Sequence, residues 1–164
     1  MLSFWVVLLL TLLLCYALLK DPDIYLFLGV THWLFVSIVI QLPMFLMEYN
    51  MNAIEIMKSP LGFITYHFVQ IFTIPALFLF IYLHYTEQAA SRKLILLFLL
   101  LLLCIGGENM FVADGVLVHK EWSFLRSMVY WGSVIALYYM FAYFVDMAIR
   151  KERTRHAADA DPLR

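Results

Sequence analysis

The chain has 164 residues, of which 65% are hydrophobic and only 14% charged, against about 45–50% and about 25% in ordinary soluble domains. A water-soluble domain of this length cannot hide so much apolar surface, and a disordered chain would be poor in aromatics, which here make up 17%. A net charge of −1 without a basic face removes the electrostatic footing of nucleic-acid binding, so the composition points to an integral membrane protein.

A bilayer core of about 30 Å needs about 20 apolar residues in a helix. Five stretches meet that length: Leu2–Leu19, Ile24–Met47, Leu61–Tyr85, Leu94–Val118 and Trp122–Ile149. The sequence therefore predicts an all-α, polytopic bundle of five transmembrane helices over residues 1–149, followed by a basic and then polar cytoplasmic tail over 150–164. Barrel strands are disfavoured, because each would be about 10 residues of alternating polarity rather than a long apolar run.

The first stretch has no basic residue before it and no small-residue cleavage site after it, so it reads as a retained helix rather than a signal peptide. Pro43 and Pro75 predict kinks in the second and third stretches. Gly106-Gly107-Glu108-Asn109 interrupts the fourth, and a four-helix alternative would make that stretch re-entrant. Cys15 and Cys104 sit in apolar runs without a C-x-x-C spacing, as small buried hydrophobes do. No metal-ligand spacing, nucleophile elbow or phosphate loop occurs, so neither a metal nor a cofactor is expected.

Lys and Arg orient the chain. With the C-terminus in the cytoplasm, eight of the eleven fall on that side, and Lys58, Lys120 and Arg126 fall outside. The N-terminus is then outside, and the expected location is the plasma membrane.

An ionisable group inside a span is costly and marks a candidate site. At about 1.5 Å of rise per residue, Gln41, Glu48, His67, Gln70, Glu108, Asn109 and Arg126 all fall in the outer half of the bilayer. Glu108, about 15 Å from Val118 on this count, lies too deep to reach water and must be neutral or paired. Arg126 is its cationic candidate and His67 its titratable one. The cluster reads first as a hydrogen-bonded packing clamp, then as a ligand or ion site, then as a catalytic pair. His32, in the opposite half, reads as a packed interhelical histidine, while Asp146 and His84 read as interfacial anchors. Trp122 and Trp131 read as belt or packing residues.

Parts of the chain resemble an uncharacterised family of small five-pass membrane proteins of spore-forming Gram-positive bacteria. The resemblance is carried by Glu48, Tyr66-His67-Phe68-Val69 followed by Pro75, Tyr82 and Tyr85, Arg92-Lys93, Glu108, Gly115-Val116-Leu117-Val118 and Trp122, over roughly residues 30–145. It implies five helices and a bacterial plasma membrane, and it emphasises Glu108 and His67. It carries no activity. The Gly106-Gly107 pair and the C-terminal tail depart from the family pattern.

The leading expectation is a non-enzymatic structural, lipid-binding or small-molecule-binding protein. The alternatives are a membrane-embedded acid/base enzyme acting on a lipid-like substrate and a small oligomeric ion- or proton-coupled transporter. Membrane lipids are the expected partners, with a second copy or another membrane protein as further candidates.

Overall fold

The computed structural model describes residues 8–9, 11–16, 18, 26–51, 53–56, 60–85 and 90–159. The described residues between 8 and 18 are helical. The rest of the first apolar stretch, with the break at Lys20-Asp21-Pro22-Asp23, lies outside the described residues, as do Lys58 and residues 86–89.

Five α-helices follow, forming four continuous helical segments. Helix α1 (Leu26–Phe45) continues into a π-helical turn, Leu46–Asn50. Helices α2 (Pro60–Phe68) and α3 (Ile74–Tyr85) are joined without interruption by a second π turn, Val69–Thr73. Helix α4 is Ala90–Ala113 and α5 is Phe124–Asp159. Among the described residues, Leu28–Asn50, Pro60–Tyr85, Ala90–Ala113 and Phe124–Lys151 are each long and apolar enough to cross a bilayer.

The faces confirm what solvent these helices meet. On α1, His32, Val36, Ile40 and Met44 recur every fourth residue and point inward, as helical spacing requires. The outward positions Val30, Leu34, Ile38 and Leu42 are just as apolar, each about half exposed or more. A helix apolar all round with only one buried stripe is built for lipid rather than water. Helix α1 packs on α3, α3 on α4, α4 on α5, and α5 back on α1, closing a ring. Thr11, on the N-terminal helical stretch, shares a 2.6 Å hydrogen bond with Thr73 inside the second π turn.

Both prolines act locally. Pro75 supplies no N–H, and the π turn ends two residues before it. Near Pro43 the Tyr130 hydroxyl of α5 donates to the Ile40 carbonyl at 3.1 Å, a side-chain bond of the kind that restores backbone pairing around prolines in membrane helices.

One short sheet departs from the all-helical expectation. Strand β1 (Ile54–Ile56) pairs antiparallel with β2 (Leu117–His119), with Glu55 opposite Val118. The backbone N–H groups of Lys120 and Glu121 both donate to the Ala53 carbonyl, and Lys120 Nζ meets Glu55 Oε2 at 2.8 Å. The sheet binds the α1–α2 and α4–α5 connections into one cap at the same end of the bundle.

The fourth apolar stretch is accordingly shorter than its hydropathy suggests. Helix α4 stops at Ala113 instead of running to Val118. Gly115 adopts φ +69°. Its N–H donates to Val112 and that of Val116 to Phe111, the paired bonds of a glycine-terminated helix. Beyond the stop, Val116-Leu117-Val118 is return loop and strand. The basic stretch after Ile149 is not a break either, since α5 continues through it to Asp159.

Candidate functional site

Glu108 lies five residues before the end of α4, about 8 Å from it, so it is shallower than the depth of about 15 Å reckoned from Val118. Its side chain is only 3% exposed. Three elements surround it with donors. From α5, Ser127 Oγ donates to Oε1 at 2.7 Å and Trp131 Nε1 donates to Oε2 at 2.7 Å. From the segment before α5, Trp122 Nε1 divides its N–H between Ser127 Oγ at 2.8 Å and Glu108 Oε1 at 3.1 Å. From β2, His119 Nε2 lies 3.0 Å from Oε1. This last is a close contact without the geometry of a directed hydrogen bond.

Local sequence explains the arrangement. Ser123 caps α5, its hydroxyl accepting from the Arg126 N–H at 3.3 Å, the usual task of a serine at a helix start. Trp122 and Ser127 therefore occupy the two positions that normally form an apolar staple across a helix start. Here they are joined by a hydrogen bond. Ser127 and Trp131 are one turn apart and share a face, which is the face turned to α4.

Indole N–H groups only donate, and an ionised carboxylate only accepts. The site matches an anion held by charge-assisted bonds, with Oε1 taking three contacts and Oε2 one. Both oxygens are occupied by protein groups.

The other sequence candidates separate into distinct places. Arg126, the expected cation for Glu108, is exposed and turns its guanidinium to the Glu121 carbonyl. That correction follows from helical spacing: with Ser127 and Trp131 facing α4, Arg126 lies about 100° round the helix. His67 does not meet Glu108 either. It is half-buried, its ring against Phe63 at 4.3 Å and Tyr66 at 5.8 Å. Gln70 is buried in the second π turn and hydrogen-bonds Tyr66. The Tyr66 hydroxyl also reaches Met44 Sδ at 3.5 Å, and its ring meets Phe111 edge-on at 5.7 Å. Tyr66 thus stands between Gln70 and the helix that carries Glu108. Glu48, half-buried on the first π turn, lies within electrostatic reach of Tyr66. Gln41 is half-buried on α1. Asn109 faces outward, its amide bonded to the Ile105 carbonyl of its own helix at 2.9 Å.

Sequence reasoning missed His119, Trp122 and Trp131 as partners of Glu108. The legible signal was the helix stop Asp114-Gly115 followed by the Ser123 cap, which together turn the chain back over Glu108.

A second polar group lies toward the opposite end. His32 is fully buried, its Nδ1 2.9 Å from the Tyr138 hydroxyl and its ring 4.7 Å from that of Tyr82. Tyr82 donates to Asp146 Oδ1 at 2.6 Å. Among the described residues, no group of three or more His, Cys, Asp or Glu is placed to hold a metal ion. Between α1 and α5, flanking Pro43 and Tyr130, lies a cavity of about 260 Å³ with mainly apolar walls that include Ile38, Leu42, Val134 and Leu137.

Compared with family models, with curated proteins and with solved structures, the chain matches none.

Proposed function

We propose that this chain is a non-enzymatic structural protein of a bacterial plasma membrane. In this reading it spans the bilayer five times, with the N-terminus outside and the C-terminus cytoplasmic, and associates with lipid along its apolar faces. The observation that carries the non-enzymatic reading is the enclosure of Glu108: its side chain is only 3% exposed and both oxygens accept from donors of the protein itself. A general base needs an oxygen within reach of a substrate proton, and a ligand site needs a group left to bind with. Glu108 offers its acceptors instead to α5, β2 and the Trp122 segment, which is the work of a clamp. Acid/base chemistry by Glu108 with His67 has less support, because His67 packs on Phe63 and Tyr66.

Orientation rests on Lys and Arg, which concentrate at the end opposite the sheet. The described part of the first stretch is helical and packs by Thr11 on Thr73, which supports a fifth span. The apolar cavity beside Pro43 suits a length of acyl chain.

The test is Glu108→Ala and Glu108→Gln in detergent and in nanodiscs. Removing the carboxylate strands two buried donors, Ser127 Oγ and Trp131 Nε1, at about 2–4 kcal/mol in total, which corresponds to a melting temperature lower by roughly 6–12 °C for a chain of this size. Gln keeps one acceptor but turns an amide N–H toward other donors, so it should fall between wild type and Ala. Unchanged melting, together with loss of a co-purified small molecule or lipid, would replace the clamp with a binding site.

A further inference from the structure

The outward face of α4 carries two features that the single chain does not explain. Ile95, Leu99, Leu102, Gly106, Asn109 and Ala113 are all exposed, and they recur at spacings of four and three. That is the 3.5-residue period of a helix seam that packs against another helix. Within it, a Cβ added at Gly106, or at the adjacent Gly107, would meet nothing within 4 Å. Nothing inside the monomer requires glycine at either position, although glycine weakens a helix interior. One turn further, the Asn109 amide uses one N–H on the Ile105 carbonyl. Among the described residues its Oδ1 and second N–H have no partner. Inside a span no bulk water is present to complete them. By contrast, the exposed Ser133, well inside α5, is satisfied by the Val129 carbonyl at 2.7 Å.

We infer that the Gly106/Asn109 face of α4 is the contact for a second copy of this chain. A side-chain amide is self-complementary, since it donates and accepts in one plane. Two copies inserted in the same orientation, related by a twofold axis along the membrane normal, bring each residue of the seam opposite itself. Asn109 then donates to Oδ1 of its counterpart and accepts in return, and Gly106 lets the backbones approach one turn away. An unrelated helix would need a matching amide at the same depth, whereas the second copy carries one by symmetry.

The experiment uses the full chain reconstituted in lipid vesicles, with monomer and dimer counted by single-molecule photobleaching over a range of protein-to-lipid ratios. Asn109→Leu should weaken the dimer about three- to thirty-fold, the range expected for side-chain hydrogen bonds between membrane helices. Leu102→Cys, in a background with Cys15 and Cys104 replaced, should cross-link to itself on oxidation. Ala136→Phe, on the outward face of α5 that also contains Gly132, should leave the dimer unchanged. Melting of each variant separates misfolding from dissociation. A wild-type monomer at all densities, an Asn109→Leu dimer as tight as wild type, or dissociation by Ala136→Phe instead would each overturn the inference.

Discussion

His119 Nε2 lies 3.0 Å from Glu108 Oε1 because the chain reverses between them. Gly115 ends α4, β2 runs back along β1, and the imidazole returns over the helix it has just left. The contact ties the buried carboxylate to the cap, so the packing of α4 and the register of the sheet are one structural problem.

The two indoles at Glu108 should differ in weight. Trp131 donates alone to Oε2, whereas Trp122 shares Oε1 with Ser127 and His119. Trp131→Phe leaves one oxygen of a buried carboxylate without a donor and should cost about 1–3 kcal/mol. Trp122→Phe should cost less, since Oε1 keeps two contacts. Equilibrium unfolding of both variants in mixed micelles gives the order.

Gly115→Ala places a Cβ on a left-handed backbone, at about 1–2 kcal/mol. Part of that loss comes from misplacing His119 over Glu108. The double variant with Glu108→Ala should therefore lose less than the two single losses added together. Full additivity would show that the helix stop and the carboxylate are independent.

Arg126→Ala should change stability by no more than about 0.5 kcal/mol, as for other exposed sites. Its side chain contacts the Glu121 carbonyl and is not joined to Glu108. A loss comparable to that of Trp131→Phe would mean that Arg126 compensates the buried charge after all.

Pairing of β1 with β2 places Glu55 and Lys120 at the same end of the bundle, and the proposed orientation puts that end outside. With Cys15 and Cys104 replaced, Glu55→Cys and Lys120→Cys should both react with a membrane-impermeant thiol reagent in intact cells. Arg92→Cys should react only after permeabilisation. Labelling of positions 55 and 120 from opposite sides would disprove the cap, and labelling of Arg92→Cys alone would invert the orientation.

Long apolar runs bounded by charge were sufficient to mark a membrane-embedded chain and to find four of its long helices, because a span must satisfy its own backbone bonds over a fixed thickness. Glu108 was legible for a related reason: a carboxylate in such a run must be matched by something. The identity of its partners was not. Val116-Leu117-Val118 is as apolar as the helix before it, so hydropathy carries α4 past the stop that Gly115 imposes, and only the backbone shows the reversal. Arg126 is the nearest cation by composition, yet helical spacing turns Ser127 and Trp131 toward α4 in its place. The sequence alone determined the solvent and the scarcity of buried charge, both of which follow from side-chain transfer energies. The tertiary structure decided which donors meet that charge, because this depends on chain direction and helix rotation, to which hydropathy is blind.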